Sequence, residues 1–128
     1  MAEHLAAQLA AAGGHTVRLH AEGNLQARKA ALIAALAQPG PGWRAVLYLE
    51  ALGQQGHAGA TGLFTGALAA VQALGACNLS ASPRLWLAAR AAQPVAGSAL
   101  EHPSQAVLWG LARTLSTEAP HLLGAGVD

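Results

Sequence analysis

The sequence predicts an α/β fold, a three-layer arrangement in which a parallel sheet has helices on both faces. Segments with helical periodicity alternate along the 128 residues with short, strongly apolar segments that are typical of strands. Such an alternation indicates β-α-β crossovers, which place successive strands side by side in parallel. Two of the apolar segments are almost uninterrupted, as in strands that are buried on both faces of a sheet. The length suits one domain over residues 1–128.

The first half of the chain predicts two helices and two strands. Residues 2–12 form a helix that ends at the glycine pair following it. Residues 15–21 (HTVRLHA) predict a short strand, because apolar and polar residues alternate there. A second helix lies within residues 23–38 and is capped by Asn24. Residues 43–52 (WRAVLYLEAL) then predict a strand buried on both faces.

The second half continues the alternation. Residues 53–59 form a loop rich in glycine and glutamine, and residues 60–76 form a long helix. Residues 83–92 (PRLWLAARAA) predict another buried strand. Residues 103–118 form a helix whose first position is a proline, which the first turn of a helix tolerates. Residues 124–128 begin a further strand.

Charge and composition exclude several classes of function. The formal net charge is +1 and charged residues make up 10 % of the chain, so no basic footprint for nucleic acid is present. No run of Lys or Arg favours a membrane surface, and no apolar stretch reaches the ~18 residues of a membrane span. The single cysteine, Cys77, and an amino terminus without a charged leader predict a cytoplasmic protein.

No motif in the sequence predicts a cofactor or a metal ion. The glycines at 53, 56, 59 and 62 follow a strand, but they do not spell the G-x-G-x-x-G turn that cradles a dinucleotide. The six histidines are scattered, and no pair has the i, i+4 spacing of a zinc helix. The six carboxylates do not form a close pair on one predicted face. The chain is therefore not expected to be an enzyme by itself.

The helix over 103–118 carries Trp109 and Arg113 one turn apart, at the spacing of a catalytic Tyr and Lys in one large class of reductases. These residue types cannot do that chemistry, because an indole does not exchange protons as a phenol does and a guanidinium stays protonated. We expect Trp109 to pack against a neighbouring element. Arg113 is expected to stack on it or to pair with a carboxylate such as Glu118.

Two long segments carry a family resemblance. Residues 83–95 (PRLWLAARAAQPV) and 104–128 (SQAVLWGLARTLSTEAPHLLGAGVD) closely resemble the N-terminal half of ketoreductase domains in modular polyketide synthases. Residues 43–52 and 62–74 (GLFTGALAAVQAL) extend the resemblance over nearly the whole chain. One departure is Ala89-Arg90-Ala91, where that family usually has Thr-Arg-Gly.

The resemblance implies a truncated Rossmann-like fold, similar to short-chain dehydrogenases, that lacks its first strand and the catalytic half. In that family the second half binds NADPH and reduces β-ketoacyl groups on an acyl carrier protein. The first half has neither cofactor nor active site and braces the second. The expected partner of this chain is therefore the catalytic half of the same ketoreductase, and no cofactor is expected in this chain.

The resemblance also implies an interface with the catalytic half. The helix over 60–76 is apolar nearly all round, which is typical of a helix covered on two sides. A chain made without its partner would expose that patch, so we expect it to self-associate. The residues expected to be structural or at the interface are Phe64, Leu68, Trp86, Arg90, Trp109, Arg113 and Glu118.

Two other functions are compatible with the sequence. The chain could be a small stand-alone oxidoreductase of the short-chain-dehydrogenase type with a degenerate cofactor site, which binding of NADPH would reveal. It could also be an interaction module, for instance for an acyl carrier protein. The near-neutral charge argues against the second alternative.

Overall fold

Helices and strands alternate along the chain, as the sequence predicts. The structure is a computed structural model that describes residues 1–40, 42–53, 59–95, 97 and 99–128. Its helices and strands are α1 (Ala2–Ala11), α2 (Leu25–Leu36), β1 (Ala45–Tyr48), α3 (Glu50–Gly53), α4 (Ala60–Ala76), β2 (Arg84–Ala88), α5 (Ala106–Glu118) and β3 (Leu123–Val127). A 3-10 turn over Pro103–Gln105 leads into α5.

The three strands form a parallel sheet in the order β1-β2-β3, so the predicted α/β class is confirmed. Leu47 of β1 pairs with Trp86 of β2, and Trp86 pairs with Ala125 of β3. The register between β2 and β3 shifts by one residue, which leaves Gly124 as an extra residue of β3. A Cβ atom at Gly124 would lie 2.7 Å from Cδ1 of Trp86, so any larger residue here would force the Trp86 ring to move.

The core lies between one face of the sheet and the helices α2, α4 and α5. Leu85 and Leu87 of β2 point to this face and are buried. Helix α4 packs against α2 and α5, and its buried positions include Gly66 and several alanines, which let the helices approach closely. The helix residues with the largest buried side chains in this core are Leu36, Leu63, Leu74, Leu108, Leu111 and Leu115.

The opposite face of the sheet is open in the described part of the chain. Leu47, Trp86 and Val127 lie on it and are 39 %, 41 % and 52 % exposed, and Arg84 beside them is exposed as well. The prediction that 43–52 and 83–92 are buried on both faces is therefore wrong. The physical reason is that α2, α4 and α5 all pack on the face of Leu85 and Leu87.

The predicted strand over 15–21 is also wrong. These residues are extended in the structure but belong to no strand, and nearly all of them are exposed. Among the described residues, no backbone hydrogen bond joins this segment to a neighbour. An extended segment becomes a strand only through pairing, and the alternating pattern carries no information about whether a partner is in place. Similarly, β1 covers four residues rather than 43–52, and α3 follows it.

Local signals at the helix ends are confirmed. Gly13 ends α1 with a φ of +83°, and its backbone N–H donates to Ala10. The side chain of Asn24 accepts a hydrogen bond of 3.0 Å from the backbone N–H of Ala27 and so caps α2. Helix α4 covers the predicted 60–76, and Cys77 follows its end. Among the helices that the structure describes, none is both long and apolar enough to cross a membrane.

Candidate functional site at the carboxyl edge of the sheet

Ligands of open α/β folds bind beside the carboxyl ends of the parallel strands. In this chain that edge lies where β1, β2 and β3 end. Three polar side chains face the loops there: Glu50 after β1, Gln105 before α5, and Asp128 after β3. The contacts of these three groups decide whether the edge is free to receive a ligand.

Gln105 joins α3, the short helix that follows β1, to the turn that follows β2. Its side chain is buried, with only 4 % of the residue exposed. The side-chain oxygen Oε1 accepts a hydrogen bond of 2.8 Å from the backbone N–H of Arg90. The side-chain nitrogen Nε2 donates a hydrogen bond of 3.0 Å to the carbonyl oxygen of Ala51. Both ends of the amide are therefore engaged by the backbone.

Asp128 holds the turn that follows β2. Its carboxylate accepts hydrogen bonds from the backbone N–H groups of Ala92, at 3.1 Å, and Gln93, at 2.8 Å. Ala91 has a φ of +50°, in the left-handed region that favours glycine. This position is where the resembled ketoreductases usually have glycine. The Ala91 carbonyl accepts from the N–H groups of two later residues, Glu101 and His102, so the turn is held on both sides.

A cluster of three polar side chains, Arg28, Tyr48 and Glu50, connects β1 to α2 and α4. The Tyr48 hydroxyl lies 2.8 Å from Oε2 of Glu50 and 2.9 Å from the carbonyl oxygen of Leu63, two acceptors for its single proton. The Arg28 side chain donates a hydrogen bond of 2.8 Å to the same Glu50 oxygen. Gly66 of α4 borders this cluster closely. The sequence analysis did not predict this cluster. The one indication in the sequence was the pair of polar side chains Tyr48 and Glu50 where β1 ends.

Tyr48 is not suited to proton transfer at neutral pH. Burial raises the pKa of its hydroxyl well above the ordinary value of 10.0, and the hydrogen bond to Glu50 and the charge of that carboxylate raise it further. The positive charge of Arg28 acts in the opposite direction but does not outweigh them. The hydroxyl therefore stays protonated and serves as a hydrogen-bond donor.

The raised pKa of Tyr48 predicts a loss of stability in alkaline solution. Above pH ~10 the unfolded chain releases the phenolic proton and the folded chain does not, so the free energy of unfolding falls by up to ~1.4 kcal/mol per pH unit. The variant Tyr48→Phe should lack this component, and urea unfolding between about pH 9 and 11 measures the difference between the two chains. Since Tyr48 is the sole tyrosine, absorbance of the folded chain gives a direct check. If the Tyr48 phenol ionises at its ordinary pKa while the chain is folded, its hydroxyl is not a buried hydrogen-bond donor.

A shallow open depression of about 440 Å³ lies beside the turn held by Asp128, and it is lined by Ala91, Gln93, Val95, Trp109 and Asp128. The ring of Trp109 packs against β3, since a Cβ atom at Gly126 would lie 3.0 Å from it. The indole N–H of Trp109 is buried and has no hydrogen-bond partner among the residues that the structure describes. The depression therefore presents mainly apolar surface and backbone.

The structure does not gather the seven residues expected to be structural or at an interface into one site. Trp86 lies on the open face of the sheet, and the Arg90 side chain is exposed while its backbone N–H binds Gln105. On α4, Phe64 is 36 % exposed and Leu68 is half-buried. The other three lie on α5, namely Trp109, Arg113 and Glu118.

The exposed surface of α5 is mostly polar. Arg113 and Glu118 are both exposed, and no ion pair joins them among the described residues. The exposed residues of this helix are Gly110, Arg113, Thr114, Ser116, Thr117 and Glu118. The apolar surface available for a partner on these two helices therefore lies mainly on α4.

The glycine-rich segment considered for nucleotide binding falls largely outside the described residues, since residues 54–58 are not described. Gly59 directly precedes α4, and Gly62 lies in its first turn. Within the described ranges, no three His, Cys, Asp or Glu side chains come together as a metal site would require.

Comparison with known proteins gives similarity to polyketide synthases. The chain is 38 % identical over 125 residues to polyketide synthase GfsA of Streptomyces halstedii, an alignment that covers 94 % of this chain. Polyketide synthases contain segments related to this chain. A second relative is a phenolphthiocerol/phthiocerol polyketide synthase of Mycobacterium tuberculosis (strain H37Rv), 35 % identical over 92 residues, or 72 % of this chain.

The chain matches only a small part of these polyketide synthases. The alignment covers 2 % of the Streptomyces protein and 6 % of the Mycobacterium protein. No family model matches the chain. No solved structure matches it either. The predicted relationship to polyketide synthases is thus confirmed, and the assignment to their ketoreductase stays a prediction.

Proposed function

We propose that this chain is the non-catalytic structural half of a polyketide synthase β-ketoreductase. In this role it braces a catalytic half that binds NADPH and reduces β-ketoacyl chains carried by an acyl carrier protein. The observation that carries the proposal is that Gln105, at the carboxyl edge of the sheet, binds the chain's own backbone rather than facing a ligand. There, one end of the Gln105 amide binds the backbone of α3 and the other end binds the backbone of the turn after β2.

The side chains of Asp128 and Glu50 at this edge are also engaged internally. The Asp128 carboxylate accepts from backbone N–H groups, and one oxygen of Glu50 accepts from both Tyr48 and Arg28. A cofactor or substrate at this edge would have to compete with these hydrogen bonds. Trp109, at the spacing of a catalytic residue, offers only an indole donor. The contacts therefore favour a role in holding the fold over a role in chemistry.

The surface of α4 supports a bracing role. Phe64 is partly exposed and Leu68 is half-buried on this helix, beside the exposed Thr61. Aromatic side chains are enriched where protein surfaces meet, because they bury a large apolar area. A catalytic half seated here would cover Phe64. The chain alone would self-associate through the same surface.

Co-expression tests this function. The chain would be produced alone and together with the segment that follows the matched region in polyketide synthase GfsA. We expect the two to co-purify, and we expect NADPH binding and reduction of a β-ketothioester only in the complex. Phe64→Ser should weaken co-purification and self-association, whereas the control Thr61→Ser, on the same helix, should not.

Two outcomes contradict the proposal in different ways. Binding of NADPH or turnover by the chain alone would favour the stand-alone oxidoreductase. Failure to co-purify, with the chain folded as judged by circular dichroism, would contradict the bracing role.

A further inference from the structure

The turn after β2 holds the Asp128 carboxylate as a binding site holds an anion. The backbone N–H of Ala92 donates to both carboxylate oxygens at 3.1 Å, and the N–H of Gln93 donates to Oδ2 at 2.8 Å. Successive backbone N–H groups that converge on one point form an anion-binding concavity. Hydrogen bonds to an ionised oxygen are also stronger than those between neutral groups. The turn is therefore a carboxylate site that a side chain of the same chain occupies.

The turn is held in shape by contacts other than those to this carboxylate. The Ala91 carbonyl accepts hydrogen bonds of 3.2 Å from the N–H groups of both Glu101 and His102. The N–H of Arg90 donates to the buried side chain of Gln105 at 2.8 Å. Ala91 itself has a φ of +50°, which a residue with a Cβ atom adopts only where its surroundings impose it. The concavity should thus persist when the carboxylate leaves it.

Asp128 can leave the concavity without disturbing the core. The residue is exposed, and Val127 before it is 52 % exposed. In the described part of the chain β3 is an edge strand that pairs with β2 alone. The Asp128 carboxylate makes no ion pair with any described residue. Rotation of this one side chain therefore suffices to free the two N–H groups.

The depression of about 440 Å³ adjoins the concavity and offers space for a ligand that is larger than a carboxylate. Gln93 and Asp128 belong both to the concavity and to the lining of the depression. The remaining lining residues are Ala91, Val95 and Trp109, which are all apolar in character. Val95 is 65 % exposed, so covering it removes apolar surface from water. A carboxylate on the turn would therefore have its carbon chain beside apolar side chains.

We propose that this turn and the adjoining depression bind small carboxylic acids that have an apolar body, and that Asp128 closes the site as an autoinhibitory contact. The ligand carboxylate takes the place of the Asp128 carboxylate on the N–H groups of Ala92 and Gln93, and its apolar body covers Val95 and Trp109. Asp128 is tethered beside the turn, so it competes at an effective concentration on the order of millimolar or higher. The inference rests on these contacts and not on the proposed ketoreductase function.

Removing the Asp128 side chain tests the site, with butyrate as the probe. All chains would carry a short Gly-Ser extension that keeps the terminal carboxylate away from the turn. In Asp128→Ala we expect butyrate to shift the backbone amide resonances of Ala92 and Gln93 and to raise the urea midpoint, because it binds the folded chain. The natural chain should bind butyrate at least about tenfold more weakly. Butyramide, which has a similar shape and no charge, should have neither effect.

Acetate separates the carboxylate site from the depression. It carries two CH₂ groups fewer than butyrate, so it should bind Asp128→Ala about tenfold more weakly than butyrate does. Butyrate should also shift the indole N–H resonance of Trp109, and acetate should not. Equal affinity for the two acids would show that the depression does not receive the apolar body.

Glu118→Ala is the matched control, since Glu118 is also an exposed carboxylate and has no ion pair among the described residues. This variant should respond to butyrate as weakly as the natural chain. If Asp128→Ala does not fold, Asp128→Asn keeps an acceptor oxygen on the turn, and butyrate should displace this neutral group more readily than the natural carboxylate.

Two results would overturn the proposal. Unshifted amides of Ala92 and Gln93 in a folded Asp128 variant with butyrate would mean that the turn is no carboxylate site. Equal affinity of the natural chain and Asp128→Ala would mean that Asp128 does not close it. None of these readouts involves NADPH or a catalytic half, so failure here is distinct from failure of the proposed function.

Discussion

Replacing Gly66 by alanine is expected to lower the free energy of unfolding by about 2–4 kcal/mol. A Cβ atom at this position would lie 2.5 Å from the Tyr48 hydroxyl and 2.8 Å from both Arg28 Nη1 and Glu50 Oε2. These distances are far below normal contact, so the three side chains must move. Moving them breaks hydrogen bonds of 2.8 and 2.9 Å that join β1 to α2 and α4. Both overpacking and the lost hydrogen bonds contribute to the loss.

Two glycines of the same helix provide matched controls. Among the described residues, Cβ atoms at Gly62 and Gly75 of α4 would meet no atom within 4 Å apart from their chain neighbours and the adjacent helix backbone. Gly62→Ala and Gly75→Ala should therefore stabilise the chain by about 0.5–1 kcal/mol, because alanine has the higher helix propensity. Urea unfolding of the three variants measures the contrast. If Gly66→Ala stabilises the chain as the controls do, the polar cluster does not fill the space beside Gly66.

A double substitution locates the source of the loss. Tyr48→Phe removes the hydroxyl that lies nearest to the added methyl group. Gly66→Ala should then be less damaging in the Tyr48→Phe chain than in the natural one. A coupling of about 0.5–3 kcal/mol between the two substitutions is typical of residues in contact. If the two effects are additive, the added methyl group clashes mainly with Arg28 or Glu50 and not with the Tyr48 hydroxyl.

The helices could be predicted because their signals are local. Gly13 and Asn24 act on residues next to them in sequence, and the structure confirms both. The bounds of α4 follow from the loop glycines before it and the change of composition after it. A helix satisfies its hydrogen bonds within the segment, so its sequence carries most of the information. The same holds for the proline that precedes α5.

The strands were less predictable because pairing and coverage are not local. The pattern over 15–21 correctly indicates an extended backbone, but a strand also needs a neighbour. The apolar run over 43–52 indicates burial, but which face is covered depends on where α2, α4 and α5 pack. Leu47 and Trp86 are apolar and nevertheless exposed for this reason.

The polar contacts at the carboxyl edge were missed for a related reason. Gln105 binds the carbonyl of Ala51, which lies 54 positions earlier, and Asp128 binds the N–H of Ala92, 36 positions earlier. The partners are backbone groups, which every residue carries, so the sequence does not indicate which of them will be bonded. The available signal was the position of Gln105, a polar residue at the start of the strongly apolar segment AVLWGL.

Replacing Gln105 by leucine is expected to lower the free energy of unfolding by about 2–4 kcal/mol. Leucine fills a similar volume, so the loss comes from polar groups rather than from a cavity. The Arg90 N–H and the Ala51 carbonyl would lose the partners that they have at 2.8 Å and 3.0 Å. An unpaired buried backbone group is expensive because water does not reach it, and Ala51 is only 1 % exposed. Gln26→Leu, at an exposed position of α2, should change stability by less than about 0.5 kcal/mol.

Gln105→Glu shows whether both hydrogen bonds matter, because its effect depends on pH. An ionised carboxylate can still accept from the Arg90 N–H, but it repels the Ala51 carbonyl and is buried as a charge. The protonated carboxyl group can accept from one and donate to the other, as the amide does. The pKa of the new carboxyl group in the folded chain is thus raised above its unfolded value of ~4.3. Stability is then fully present below that unfolded value and is lost as the pH rises through the folded pKa.

Urea unfolding at about pH 4.5 and pH 8 measures this dependence, with the natural chain compared at each pH. The stability of Gln105→Glu should approach that of the natural chain at the lower pH and fall below it at the higher pH. Gln26→Glu should show no such recovery, because its carboxyl group would be in water. A Gln105→Glu chain equally unstable at both pH values would mean that the donor to Ala51 contributes little. The bridge between α3 and the turn after β2 would then depend on the acceptor for Arg90 alone.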